Sequence, residues 1–302
     1  MKNTRLQIKP KILVILGPTA SGKSALAVNI AKKYNGEIIS ADSRQVYIGL
    51  DIGTGKITKK EMMAIPHYML DVVSPKKVFS VSDWKKQTER IIKDILARGK
   101  LPIICGGTGF YIQSIVEGII LPEVSANKKL RKTLERESLS ELLNTLIRLD
   151  PKKAKEIDTK NPVRLIRAIE IATALGSVPK IKKNEAYDVL QIGLKIEDND
   201  LKRRINKRIT SRLKSGMIQE VKSLHKQGLS WKRMNELGLE YKLLATYIQE
   251  KTTKKELIKN LNNEIWHYAK RQMTWFKRDK NIKWYSPISK KINSEIKDFL
   301  SV

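Results

Sequence analysis

Residues 17–24 read Gly17-Pro18-Thr19-Ala20-Ser21-Gly22-Lys23-Ser24, which fits G-x-x-x-x-G-K-[ST]. Such a loop binds phosphate when it joins a strand to a helix. Its glycines let backbone N–H groups turn toward one point and form an anion nest. The following helix N-terminus adds a favourable dipole. Lys23 would place a point charge on a phosphate or diphosphate, and Ser24 would hold Mg²⁺. A second polar cluster, Asp42-Ser43-Arg44-Gln45, lies further on, and Thr108 sits inside Gly106-Gly107-Thr108-Gly109. A carboxylate at Asp42 could hold Mg²⁺ through water, take a proton from a nucleophile, or cap a turn. Thr108 could face the same ligand or cap the next helix.

These groups act together only if the chain brings them together. Residues 12–16 (ILVIL) form a short unbroken apolar run, as in a strand buried on both faces of a parallel sheet. Residues 25–31 read as a helix, 37–40 as a second strand after Gly36, 84–98 as a helix stopping at Gly99, and 103–104 as a third strand. The alternation predicts an α/β sheet with right-handed crossovers. Ligand groups lie at the carboxyl ends of such strands, so the loop, Asp42 and Thr108 should share one crevice. A kinase or ATPase is the default user of such a loop. Yet the third strand ends in glycines, and the nearest apolar-acid run is only Met69-Leu70-Asp71. That weakens ordinary nucleotide hydrolysis.

After Pro122 the pattern turns helical, with leucines at 130, 134, 139, 142, 143, 146 and 149. Asp150-Pro151 and Asn161-Pro162 each read as helix starts. Residues 189–196 look like a returning strand, and the chain beyond Asp200 is helical and basic. The expected architecture is a P-loop NTPase-like parallel sheet flanked by helices over 1–125 and 186–302, with a mostly helical insertion over 126–185.

The 302 residues hold 60 Lys and Arg against 31 Asp and Glu, a net charge of +29. An excess of that size points to a polyanionic partner, nucleic acid first, or to a Lys-rich proteome. Arg164 and Arg167 share a helix face. Lys202, Arg203, Arg204, Lys207, Arg208 and Arg212 make a second basic helix. The stretch from Trp266 to Arg278 could stack bases through its interleaved aromatics and cations. Its stripe at Ile265, Tyr268/Ala269, Gln272/Met273 and Phe276 also fits a core face. Lys270 and Arg271 are the functional candidates there, whereas His67 reads mainly as a packed or capping histidine. The single Cys excludes a disulfide framework, and Cys105 with His67, His225 and His267 is too scattered for a zinc finger. No apolar run is long enough to span a membrane, and Met1-Lys2-Asn3-Thr4-Arg5 has no signal-peptide shape, so a cytoplasmic protein is expected.

The ordered series of segments resembles the tRNA dimethylallyltransferases of bacterial type. It comprises residues 17–24, 42–47 (DSRQVY), 53–56 (GTGK), 66–71 (PHYMLD), 106–111 (GGTGFY), 161–170, 201–208 and 268–276. The resemblance implies transfer of a dimethylallyl group from dimethylallyl diphosphate to N6 of adenine 37, beside the anticodon, in tRNAs reading codons that begin with U. It implies a diphosphate held by Gly17, Pro18, Thr19, Ala20, Ser21, Gly22, Lys23 and Ser24 with Mg²⁺ as cofactor. Asp42 is then the catalytic base, with Thr19 and Thr108 beside it. Asp42, Ser43, Arg44, Gln45, Thr108, Arg131, Val163, Arg164, Leu165, Ile166 and Arg167 match segments that hold the anticodon stem-loop. A monomer without an obligate protein partner is implied. The chain departs from the family pattern at Ile57, at Asp158–Asn161 and at Leu239-Glu240. The competing readings are an adenylate isopentenyltransferase acting on free nucleotides, a small-molecule kinase, and a non-catalytic RNA-binding module.

Overall fold

The computed structural model describes residues 9–301; the polar segment Met1–Arg5 lies outside the described residues. The apolar run becomes β1 (Lys11–Leu16), and Ile12 through Leu16 have no solvent exposure. A run with no polar alternation is stable there because the strand is covered on both faces. The elements α1 (Lys23–Lys33), β2 (Gly36–Ala41), α2 (Lys59–Met62), β3 (His67–Tyr68), α3 (Val81–Ala97), β4 (Leu101–Gly106) and α4 (Gly109–Val116) follow. Residues 119–184 form a separate compact unit with β5 (Ile119–Ile120), α5 (Lys128–Leu134), α6 (Leu139–Leu149), α7 (Pro151–Glu156), α8 (Pro162–Leu175) and β6 (Lys182–Lys183). The chain then returns through β7 (Asp188–Leu194), α9 (Asp198–Lys214), α10 (Met217–Lys226), α11 (Trp231–Leu237), α12 (Leu239–Ile248), α13 (Lys254–Phe276), β8 (Lys283–Tyr285) and α14 (Lys291–Ser301).

The main sheet has six strands in the order β3-β2-β4-β1-β7-β8, all paired in parallel. The α/β class read from the alternation is therefore the fold observed. The two edge strands, β3 and β8, were absent from that reading. At two and three residues they are too short to show a period and exist through pairing with β2 and β7. One apolar layer on a face of the sheet includes Ile12, Val14, Ile39 and Ile104 together with Trp84, while the other gathers Leu13, Ile15, Ile103 and Ile192.

Local signals set several helix starts. Ser80 with Asp83 and Thr253 with Glu256 form capping boxes on α3 and α13. Asn161 caps α8 by accepting from the Arg164 N–H, with Pro162 in the first turn. Trp84 of α3 donates its indole N–H to the Ser40 carbonyl at 3.0 Å and stacks on Tyr111 of α4, ring centroids 4.7 Å apart. That contact supports the end of β2 from below, next to Asp42. Among the described residues no helix is long and apolar enough to cross a membrane.

At the opposite end of β2, Glu37 is buried and accepts from both guanidinium nitrogens of Arg98 (2.6 and 2.7 Å), from Lys100 (2.6 Å) and from the Tyr68 hydroxyl (2.7 Å). The Arg98 hydrogen bonds, against the opposing effect of burial, bring its carboxyl down to about 2 from 4.5. A depressed folded value means the contribution is complete above the unfolded value and is lost as pH falls through the window from about 4.5 to about 2. Glu37→Gln is expected to lower stability at pH 7 by about 2 kcal/mol. It should also flatten the dependence of the urea midpoint on pH across that window.

Candidate active site

The loop after β1 turns back on itself through three positive-φ residues, Gly17 (154°), Ala20 (62°) and Gly22 (90°). Ala20 occupies the left-handed region without being glycine, a conformation that persists only where its surroundings enforce it. Gly22 stands at the N-cap of α1 with no side-chain cap, so the first-turn amides of that helix are left for a ligand. Lys23 folds back with Nζ 3.2 Å from the Pro18 carbonyl. Burial lowers its pKa, an effect that nearby Arg208 and Arg212 reinforce. The Ser21 hydroxyl is buried and, among the described residues, has no hydrogen-bond partner. A loop with outward amides, an unpartnered hydroxyl and a cation under stress is built to receive an anion.

The carboxyl ends of β1, β2 and β4 meet at this point. Asp42 Oδ1 accepts from the Arg44 N–H at 2.8 Å and the Gln45 N–H at 3.3 Å. Asp42 thus caps the turn and also lines the cavity. Among the described residues Oδ2 has no protein donor. Thr108 is at the N-cap of α4 but makes no capping bond; its hydroxyl accepts from the Ser43 N–H at 3.0 Å, tying the end of β4 to the Asp42 turn. Gln272 of α13 completes the junction. Its carbonyl oxygen accepts from the Thr19 N–H at 2.8 Å and its amide donates to the Gly107 carbonyl at 2.9 Å. A Cβ on Gly107 would lie 2.1 Å from Gln272 Nε2, and one on Gly106 would lie 2.2 Å from the Ala41 carbonyl oxygen. The double glycine after β4 is therefore a close-approach device.

The opposite wall comes from the basic helix α9. Arg204, Lys207, Arg208 and Ser211, spaced as one helical face, line a cavity of about 870 Å³ together with Lys23, Asp42 and Gln272. Burial, aided by Arg212, brings Arg208 down to about 10. Glu240 of α12 also lines the cavity, with its pKa raised by burial although Arg212 lies 3.4 Å away. The Gly53-Thr54-Gly55 rim is held from beneath by Glu220. Its carboxylate accepts from the N–H groups of Asp51 (3.0 Å), Ile52 (2.6 Å) and Gly53 (3.0 Å) and from the Tyr241 hydroxyl (2.8 Å). Lys56 is a staple rather than a phosphate ligand, with its buried ammonium on the Tyr47 carbonyl, Asp51 and Asp71. Arg44 is likewise anchored, donating to the Leu237 carbonyl at 2.6 Å.

Known proteins are similar to this chain in sequence and fold. The family model for IPP transferases matches residues 45–279. The tRNA dimethylallyltransferase of Halothermothrix orenii is 40% identical over 306 residues, covering 96% of this chain and 93% of that protein. The tRNA dimethylallyltransferase of Staphylococcus epidermidis is 43% identical, covering 91% and 86%. The crystal structure of the full-length tRNA isopentenylpyrophosphate transferase of Bacillus halodurans superimposes with a TM-score of 0.73 at 35% identity, covering 97% and 96%. A eukaryotic dimethylallyltransferase captured acting on tRNA superimposes with a TM-score of 0.82 at 25% identity, covering 97% of this chain and 80% of that one. The chain belongs to the IPP transferase family.

Three positions where this IPP transferase departs from the sequence pattern, Ile57, Leu239 and Glu240, line the cavity itself. His67 lines it too, with Nδ1 2.8 Å from the Ile65 carbonyl and a pKa lowered by burial. The stripe on α13 is core: Ile265, Ala269, Gln272 and Phe276 are buried. Lys270 pairs with Asp198 at 2.8 Å, and neither it nor Arg271 lines the cavity. Cys105 is buried with its thiol pushed up to about 11 by burial, as a neutral core residue.

Within the 119–184 unit, α8 has two unlike faces. Leu165 and Ile166, named above among the RNA contacts, are packed with Leu134, Leu142 and Leu146 in its core. Their side chains offer nothing to a ligand because the helix rotates them inward. Val163 and Arg164 are exposed. Arg167 and Arg131 converge on the buried Glu170: Arg131 donates twice at 2.7 Å and Arg167 once at 3.2 Å, while the Asn127 N–H adds 2.8 Å.

Sequence reasoning missed Gln272 as a junction, Glu220 as a clamp and the cavity role of α9. The 204, 207, 208, 211 spacing was the signal available for the last. Gln272→Ala would leave the Thr19 amide and the Gly107 carbonyl without partners. It is expected to cost about 2 kcal/mol in urea unfolding and to weaken inorganic pyrophosphate binding about tenfold in calorimetry.

Proposed function

We propose that this chain transfers the dimethylallyl group of dimethylallyl diphosphate to N6 of adenine 37, next to the anticodon of tRNAs reading codons that begin with U. The products are N6-dimethylallyladenosine and diphosphate. The observation that carries this reading is the meeting of the anion nest, the Asp42 carboxylate and a cationic helix face in one cavity, in a chain whose relatives modify tRNA. The cavity lining holds Lys23, Arg44, Lys60, Arg204, Lys207 and Arg208 against Asp42, Glu61 and Glu240. Six cations facing three carboxylates suit a polyanionic leaving group.

The adenine N6 lone pair is delocalised into the ring, so attack on C1 of the prenyl group needs loss of an N6 proton. In this reading Asp42, its Oδ1 fixed by two amides, takes that proton on its free oxygen. The C1–O bond breaks and its electron pair leaves with the diphosphate, held by residues 17–24. Thr19 and Thr108 keep the reacting groups aligned through Gln272 and Ser43. The donor set fits Mg²⁺: the Ser24 hydroxyl and the Asp42 carboxylate line the same cavity, and Mg²⁺ takes few protein ligands beside phosphate oxygens. When bound, the ion would neutralise charge on the diphosphate. A base reaches a carboxylate inside this cavity only when flipped out of its stack. Arg44 and Gln45 at the cavity, Ser43 beside them, and Arg131, Val163, Arg164 and Arg167 of the 119–184 unit are the proposed tRNA contacts. Action as a monomer in the cytoplasm is part of this reading.

The test is incubation with Mg²⁺, dimethylallyl diphosphate and an unmodified anticodon stem-loop, followed by RNA mass. A gain of one C₅H₈ unit at the adenine is expected. Transfer to AMP and not to the stem-loop would move the substrate to free nucleotides, and γ-phosphate transfer from ATP would replace the reading altogether. Asp42→Asn, which keeps an oxygen acceptor for the Arg44 and Gln45 amides, should lower kcat by about 10²–10⁴-fold while stem-loop affinity stays within threefold. Retained turnover would remove Asp42 from its role.

A further inference from the structure

Three carboxylates line the cavity, and two of them are accounted for. Asp42 caps its turn and faces the reacting groups. Glu61 closes a capping box with Thr58 at the start of α2. Glu240 has no such task. It stands in the first turn of α12, whose N-cap is Gly238 and carries no side-chain cap. An acidic residue there favours a helix through the dipole, and at the surface that is its ordinary use. Glu141 and Glu256 serve in that way, exposed and boxed with Ser138 and Thr253. Glu240 instead turns inward, with 14% of its side chain exposed, into a cavity in which cations outnumber carboxylates.

What it faces accounts for the position. Arg208 and Arg212 are four apart on α9 and share a face. Both reach the same spot over Gly55: a Cβ there would fall on the Arg212 guanidinium and lie 2.7 Å from Nη2 of Arg208. Two like charges are thus packed side by side. Arg212 donates to the Gly53 carbonyl at 3.2 Å and lies 3.4 Å from Glu240. Among the described residues no other carboxylate forms an ion pair with either arginine, and Arg208 makes no hydrogen bond. The 3.4 Å contact is loose beside the 2.6 and 2.7 Å pairs that Arg98 and Arg131 make with Glu37 and Glu170. Glu240 therefore offsets the two cations without saturating them.

By the reading above, the diphosphate is held in this same cavity and must leave it after each transfer. A carboxylate fixed in the field of Arg208 and Arg212 repels the diphosphate and competes with it for those guanidiniums. Where the cations are otherwise in surplus, that opposition limits how firmly the departed group is retained.

We propose that Glu240 is a resident counter-anion of the Arg208–Arg212 pair, which competes with diphosphate and so speeds its release. The proposal rests on the diphosphate reading of the cavity.

The experiment titrates inorganic pyrophosphate with Mg²⁺ into wild type and Glu240 variants by calorimetry. It also follows dissociation by chasing radiolabelled pyrophosphate, and records urea midpoints. Glu240→Gln keeps the shape and removes the charge. It should bind pyrophosphate about 5- to 30-fold more tightly, the effect of removing one like charge several ångströms away in a partly buried site. Its dissociation rate should fall by a similar factor. Glu240→Ala should show the same gain, so the outcome does not hang on one variant folding. Glu240→Asp keeps the charge and should stay within about threefold of wild type. If Glu240 only supports α12, the uncharged variants would lower the urea midpoint and leave pyrophosphate affinity unchanged or weaker, and the proposal falls. It falls as well if the gain lies wholly in association. Wild type that binds no pyrophosphate would remove the diphosphate reading itself. Wild type that binds it, with no gain on loss of the charge, removes only the role of Glu240.

Discussion

A single buried amide side chain holds the reactive end of this molecule together. Gln272 accepts from the Thr19 N–H and donates to the Gly107 carbonyl, so one planar group fixes the distance between the anion loop and the end of β4. An amide is suited to this because it presents one acceptor and two donors in a rigid plane. A carboxylate would repel the Gly107 oxygen, and an apolar side chain would leave two backbone groups unpaired in a buried place. From that junction the alignment propagates. Thr108, one residue past Gly107, holds the Ser43 amide, and the Ser43 turn carries Asp42. The anion loop and the carboxylate are thus coupled through three hydrogen bonds rather than placed independently.

The second constraint is charge. Lys23 is lowered by burial, Arg208 is brought down to about 10, and Glu240 is raised. All three groups are less at ease in their charged forms than in water, and the cations outnumber the carboxylates around the cavity. The strain is concentrated where an anion would relieve it, which is the usual signature of a binding site rather than of a structural ion-pair network. Glu37 makes the contrast. It too is buried, but its partners over-satisfy it and its pKa falls to about 2. One carboxylate stabilises the far end of a strand, while the groups around Lys23 wait for a ligand.

Legibility in the sequence followed the range of the interaction. The loop at 17–24, the strands at 12–16 and 37–40, and the starts at Asp150-Pro151 and Asn161-Pro162 were readable because each depends on neighbours within about four residues. Asp42 and Thr108 were readable because strand ends in an α/β sheet converge. Gln272 was not, since its partners are 253 and 165 residues away and its place on the 265–276 stripe looked like core. The basic helix α9 was legible as charged and not as oriented: nothing local says that Arg204, Lys207 and Arg208 turn toward the loop while Arg203 pairs with Asp200 and Lys202 lies over Trp266. Leu165 and Ile166 lie in a segment whose motif does not say which side of the helix faces out, and their side chains turn into the core of the 119–184 unit.

Three residues near the Gly53-Thr54-Gly55 rim show how the cavity wall is supported. Ile57, Leu239 and Glu240 lie on the cavity wall, close to the rim that Glu220 clamps through residues 51–53. A rim held by three backbone hydrogen bonds to one carboxylate does not need any particular side chain at position 57 to keep its shape. Glu240 is tolerated because Arg212, which also donates to the Gly53 carbonyl at 3.2 Å, supplies a counter-charge on the same helix as Arg208. Variation at these sites is thus buffered by the backbone clamp and by the surplus of cations, whereas Gly106 and Gly107 have no such margin. Their Cβ positions are already taken by the Ala41 carbonyl and by Gln272.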